Sequence, residues 1–254
     1  MKSPRQTPQP DSLAVAAEVF VRGFSYTRSF THPFLAERVG PLWVMRDAPR
    51  RQSADYRREE WVAADTAPTA VDRLARKHTW GRFCICALLP VGEPDVPWRA
   101  AYKALGYRLT ATEPVMVHTL KTIPRFTSPA RIERVRTASL ADAVARAAGA
   151  RQMLPEHLAA DMPLRHYAAS LDGRVVGWVR SIATPAGTWC SNMAVLPEFR
   201  RRGIASALLA ALLRDDRRHR SPRSVLTASH TGARLYLQLG YRPVGTLLLF
   251  APRK

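Results

Sequence analysis

The residues with the clearest capacity for chemistry lie in the run Val195-Leu196-Pro197-Glu198-Phe199-Arg200-Arg201-Arg202-Gly203-Ile204-Ala205-Ser206. An apolar strand ends, a short basic turn with one glycine follows, and a long apolar helix begins. The first turn of a helix leaves backbone N–H groups without intrahelical partners. They point outward together with the positive end of the helix dipole. Such a turn binds an anion, a phosphate above all, without needing any side chain. Gly203 omits a Cβ where a phosphate would approach the backbone, and Ala205 keeps the next turn slim. The arginines add charge and planar, bidentate donors.

The elements that must hold this turn can be read around it. Residues 131–135 alternate as a first strand, and Ser139 is a candidate N-cap for a helix over 140–148 that ends at Gly149. Pro155 opens a second short helix. Residues 166–171 and 175–182 flank Asp172-Gly173 as a hairpin, and 188–195 continue the sheet. A helix over 203–214 is apolar on most faces, as expected for one packed on a sheet. The short strand 225–228, a helix over 231–239 and a strand over 241–250 complete the half. Hairpins early and a β-α-β crossover late imply an α/β (α+β) fold with a mixed sheet.

The chain also echoes itself. Ala101-Tyr102-Lys103-Ala104-Leu105-Gly106-Tyr107-Arg108 reads like Leu235-Tyr236-Leu237-Gln238-Leu239-Gly240-Tyr241-Arg242. Each is a helix closed by a glycine that can turn left-handed at its C-cap, followed by a β-prone stretch. Two similar domains are expected, 13–125 and 130–254, after a disordered proline-rich leader over 1–12 and across a linker near 122–129. In the first half the matching turn reads Asp65-Thr66-Ala67-Pro68-Thr69, without arginine or glycine and with an aspartate that repels phosphate. Pro68 starts a helix there, and the strand 82–89 follows.

On these residues the chain resembles the GNAT acetyltransferases. Their signature R-x-x-G-x-[GA] stands as Arg200-Arg201-Arg202-Gly203-Ile204-Ala205, preceded by Val195-Leu196-Pro197-Glu198-Phe199. Their later motif, a helix carrying A-x-x-[LF]-Y-x-x-x-G-[FY], stands nearly complete in residues 233–241. The resemblance covers about half the chain. It implies a mostly antiparallel mixed sheet flanked by helices and acetyl-CoA as the co-substrate. Arg200 and the loop 201–206, namely Arg201, Arg202, Gly203, Ile204, Ala205 and Ser206, would hold its diphosphate. The backbone of Met193, Ala194 and Val195 would pair with the pantetheine arm beside a bulge, one N–H polarising the thioester carbonyl. Tyr236 would protonate the leaving thiolate. The reaction implied is direct attack by an amine, on a small molecule or a protein, with no covalent enzyme intermediate and no metal. An Asn is common in the family where Ser229 stands; serine caps a helix equally well, but a cofactor contact from that position is in doubt. The first half would be a degenerate copy without the cofactor loop.

No general base stands out. Glu198 reads as a solvent-facing turn residue, and Glu156, His157 and Asp161 read as surface groups near the expected acceptor pocket. His32 reads as a turn histidine. Cys84 and Cys86, two apart on a strand, share one face and read as core thiols.

The formal charge is +19, and only five of the 39 basic residues are lysines. Such a surface attracts anionic partners, nucleic acid included, although the interleaved aromatics of a stacking platform are missing. A non-catalytic acyl-CoA sensor and a basic nucleic-acid-binding module are therefore the alternatives to an enzyme. No apolar run is long enough for a membrane span or a signal peptide, and three cysteines fit no disulfide framework. A cytoplasmic protein is expected.

Overall fold

Strands buried along nearly their whole length, as expected where helices cover both faces, and the crossover helices between them build one continuous sheet. The structure, a computed structural model, describes residues 12–52 and 55–253. In chain order the elements are α1 (Leu13–Arg28), β1 (Phe34–Val39), β2 (Leu42–Asp47), β3 (Glu59–Ala64), α2 (Pro68–His78), β4 (Phe83–Pro90), α3 (Asp95–Ala104) and β5 (Tyr107–His118). Then come β6 (Arg131–Arg134), α4 (Ala138–Ala148), a 3-10 turn (Pro155–Leu158), β7 (Leu164–Leu171), β8 (Arg174–Thr184) and β9 (Gly187–Val195). A second 3-10 turn (Pro197–Phe199), α5 (Ile204–Arg218), β10 (Ser224–Thr227), α6 (His230–Gln238) and β11 (Arg242–Pro252) close the chain. The expected mixed, mostly antiparallel α/β architecture is found.

The strand order is β1-β2-β3-β4-β11-β5-β10-β9-β8-β7-β6. Two parallel pairs stand in equivalent places: β3 with β4, crossed by α2, and β9 with β10, crossed by α5. Each is followed by a helix, a left-handed glycine (Gly106 at φ 86° and Gly240 at φ 95°) and a long final strand. The two stretches of similar sequence thus share one local order of helix, glycine and strand. The final strands, however, are exchanged. β11 lies against β4, and β5 lies against β10, with β5 and β11 paired antiparallel between them. His118 at the end of β5 secures the exchange: its Nε2 lies 3.0 Å from the Leu239 carbonyl, and its Nδ1 accepts the Leu120 N–H.

Three apolar clusters form the core. α2 and α3 bury Val71, Ala75 and Tyr102 on one face of the first half, and α5 buries Leu208, Leu209, Leu212 and Leu213 on the same face of the second. α1 and α4 cover the opposite face, α1 reaching from the first half across β8 and β9. Gly23 allows that crossing, because a Cβ there would stand 2.1 Å from Trp189 Cβ. Across the second half a buried ionic group ties three strands to α5: Asp216 accepts from Arg165, Ser181 and Thr188, the last two at 2.7 Å.

Local corrections are few. Thr137, not Ser139, caps α4, its hydroxyl accepting from the Leu140 N–H; Ser139 sits inside the first turn. The turn at Pro155 is 3-10 rather than α. α5 continues past 214, so Arg214, Arg217 and Arg218 ride on the helix. The leader expected over 1–12 lies outside the described residues except for Ser12, whose side chain caps α1. Cys84 and Cys86 are buried as expected. Elements α1, β1 and β2 had no counterpart in the sequence reading.

Candidate acyl-transfer site

β9 and β10 are held together only at Ser224–Thr188 and Val225–Trp189. Beyond Trp189 they diverge, while each keeps its outer neighbour: β10 pairs with β5 along its whole length, and β9 pairs with β8. The β10-facing edge of residues 190–195 is therefore left without a ladder partner. A register shift between Trp178 and Arg180 marks a bulge opposite residues 192–193, where Asn192 takes φ 53°. A bulge strengthens the twist and turns a strand away from its neighbour, so it and the divergence have one cause. The equivalent pair in the first half behaves differently. β3 and β4 stay in register at six positions from Glu59–Phe83 to Ala64–Leu88, leaving no opening.

The loop after β9 rises into α5. Among the described residues, no hydrogen-bond partner is found for the N–H groups of 201–206; the first bonded amide of the helix is Ala207, to the Gly203 carbonyl. Six donors thus gather at the positive end of a 15-residue helix. Arg201 (φ 63°) and Gly203 (φ 75°) both take left-handed backbone. Arg200 is exposed and donates from Nε to the Val195 carbonyl at 3.1 Å, and Arg202 lies over the Phe199 ring. Arg201 is exposed and makes no ion pair among the described residues. Gly203 has a second demand on it: the Thr127 carbonyl oxygen would stand 2.8 Å from an added Cβ. The linker thus packs against this loop, and the absence of a side chain there is required by the chain itself. Glu198 is exposed and pairs with Arg174 at 3.0 Å, as a turn residue should.

Tyr236 projects from α6 into the cluster that includes Cys190, Met193 and Val195, with its ring edge-on to Tyr241. Its hydroxyl has no hydrogen-bond partner among the described residues. Burial, and after it the proximity of Cys190, raises its pKa, so the phenol stays protonated throughout the neutral range. Ser229 caps α6 by accepting from the Gly232 N–H at 3.0 Å. Tyr236, Met193 and Val195 of the open edge, and Ile204 at the start of α5 all meet in one apolar cluster.

The site offers three features together: unpartnered amides, an unpaired strand edge, and a protonated phenol near Cys190. His157 departs from the surface position expected. It is buried, accepts the Leu154 N–H on Nδ1, and packs against the Tyr26 and Phe30 rings of the first half. Burial lowers its pKa. Glu156 and Asp161 are exposed. His32 holds a turn through the Ala48 carbonyl at 3.1 Å. A groove of about 300 Å³ lies between α4 and the first 3-10 turn, lined by Ala141, Asp142, Ala145, Arg151, Met153 and Leu158. Two residues escaped the sequence reading: Arg180 and His166, on the face of β8 and β7 that α1 and α4 cover. Their signal was present, since Arg180 interrupts an apolar strand at an inward position, between Trp178 and Ile182.

No helix among the described residues is long and apolar enough to cross a membrane. None of the curated proteins compared matches the chain. The fold is shared widely. A GCN5-related N-acetyltransferase from Kribbella flavida superposes with a TM-score of 0.69 at 16% identity, covering 96% of this chain and 97% of its own. One from Sphaerobacter thermophilus gives 0.57 at 17% identity, covering 96% and 93%. A tandem GNAT protein from the clavulanic acid biosynthesis pathway gives 0.55 at 15% identity, covering 98% and 92%. The family model for the acetyltransferase (GNAT) domain matches residues 163–243, which span the bulged strand, the amide loop and Tyr236. Residues 163–243 thus match a GNAT acetyltransferase domain, and the fold of the whole chain is one shared with such proteins.

Proposed function

We propose that the protein transfers an acetyl group from acetyl-CoA to an amine in the cleft between β9 and β10. The observation that carries this reading is the conjunction of that opening with six unpartnered amides at the start of α5. The 201–206 amides and Arg201 would hold the diphosphate, and the free edge of Met193, Ala194 and Val195 would hold the pantetheine arm. The thioester supplies an activated acetyl carbon. An amine nitrogen attacks that carbon, the C–N bond forms, the C–S bond breaks, and the amine proton leaves to solvent. A backbone N–H beside the bulge stabilises the developing oxyanion. Tyr236 gives its phenolic proton to the thiolate and regains one from water.

The first half is read as a degenerate copy, residues 13–125, that binds no coenzyme A. Its continuous β3–β4 pairing supports this, as does Asp65 at the start of its crossover. Its role would be to complete the sheet and to wall the acceptor side with α1. The free, buried cysteines suit a reducing, cytoplasmic setting.

Release of free thiol from acetyl-CoA, dependent on added amine, tests the reading. Acetyl-CoA that binds without any amine-dependent thiol release would leave a sensor. Affinity for nucleic acid that falls steeply with salt, with no binding of acetyl-CoA, would leave a basic binding module.

A further inference from the structure

One row of polar side chains crosses three adjacent strands on the face that α1 and α4 cover. His166 on β7 is the cross-strand partner of Arg180 on β8, and Arg180 is the partner of Ser191 on β9. Partners directly opposite in neighbouring strands share a face, with Cβ atoms about 5 Å apart. Arg180 has one hydrogen bond, from Nε to Ser191 Oγ at 3.2 Å. Its two terminal amino groups have no partner among the described residues, and no carboxylate pairs with it. Burial alone brings its pKa down to about 10, so it remains a cation at neutral pH. His166 is fully buried, and neither ring nitrogen has a partner. Desolvation, then the charge of Arg180, drives its pKa down to about 3, so it stays neutral and offers no counter-charge. The indole N–H of Trp178, two residues from Arg180 on the same face, is likewise buried without a partner.

A half-buried guanidinium without a carboxylate is costly unless an anion completes it. Several arginines near the sheet are completed by carboxylates: Arg46 by Glu37, Arg57 by Asp47, Arg165 by Asp216. Arg180 is not, and it stands where the proposed chemistry needs an acceptor. Ser191 lies two residues from Met193 at the bulge, about 7 Å along the strand. We propose that Arg180 binds an anionic group, a carboxylate or a phosphate, carried by the amine acceptor. The planar fork matches either group in bidentate fashion. The inference rests on the acetyl-transfer reading for the identity of the ligand as acceptor, but the anion subsite itself does not depend on acetyl-CoA.

The test uses matched amines with and without the anion: tyrosine against tyramine for carboxylate, and phosphoethanolamine against ethanolamine for phosphate. Binding to the full chain is measured calorimetrically without acetyl-CoA, and initial rates are measured with it. At least one anionic member is expected to bind about tenfold or more tightly than its neutral partner. Arg180→Gln should erase that margin and Arg180→Lys should retain part of it, while both keep wild-type affinity for acetyl-CoA as proof of fold. The pair that shows the margin identifies the anion. Equal or undetectable binding of both members in both pairs, or a margin that survives in Arg180→Gln, overturns the proposal. Acetyl-CoA binding with acetylation indifferent to the anion would overturn it alone. An Arg180-dependent anion margin without acetyl-CoA binding would instead overturn the transfer reading.

Discussion

Trp189 and Val225 are the last residues that β9 and β10 hold opposite one another, and the sheet opens immediately beyond them. Trp189 is fixed from the other face, where its ring lies 5.2 Å from that of Phe20 and its Cβ abuts Gly23 of α1. A helix from the first half therefore braces the strand at the mouth of the cleft in the second.

Ala205→Glu puts a carboxylate in the first turn of α5. The helix dipole favours a negative charge there, so the melting temperature should hold or rise slightly. The diphosphate would meet it at close range, so the calorimetric affinity for acetyl-CoA should fall at least about tenfold. Gly203 is the poorer position to probe, because φ 75° and the Thr127 carbonyl make any side chain there a folding defect.

Tyr236→Phe keeps the ring packed against Tyr241 and removes only the hydroxyl, which has no partner to lose. Steady-state kinetics should show kcat reduced by about 10²-fold or more with KM for acetyl-CoA unchanged. Unchanged kcat would return Tyr236 to the core.

Asp216→Asn leaves Arg165 buried without a full counter-charge while keeping the volume. Removing one member of a buried pair costs about 3–5 kcal/mol, readable as a lowered denaturation midpoint in urea. A loss below about 1 kcal/mol would mean the group contributes no more than an exposed ion pair.

Acid should destabilise the chain through His166, whose pKa falls from 6.5 to about 3 on folding. The unfolded state then binds the proton more tightly. The contribution to stability is complete above pH 6.5 and is lost as the pH drops toward 3, by up to about 1.4 kcal/mol per pH unit. His166→Leu should flatten the decline of melting temperature between pH 6.5 and 4. Superimposable profiles would contradict a neutral, desolvated imidazole. His118 and His157, also lowered, remain in both proteins and cancel in the comparison.

Much of the second half was legible because its signals are local. The Asp172-Gly173 hairpin, the glycine at 149 and the β9–loop–α5 transition each follow from a few neighbouring residues. The echo around Tyr102 and Tyr236 pointed to the helix, left-handed glycine and long strand found at each place. What it could not reveal was the exchange of β5 and β11, because pairing between distant strands depends on register and edge availability rather than on any short motif. α1 was missed for a related reason: its packing on Trp189 is a contact between halves. Arg180 and His166 were legible as interruptions of apolar strands, but their orphaned donors and acceptors exist only once the strands align.

The central claim is that one cleft in the second half, and none in the first, receives acetyl-CoA. Hydrogen–deuterium exchange with and without acetyl-CoA tests it most directly. The account predicts new protection over 190–206 and none over 59–70. Unchanged exchange over 190–206, or protection of the β3–α2 crossover instead, would contradict it.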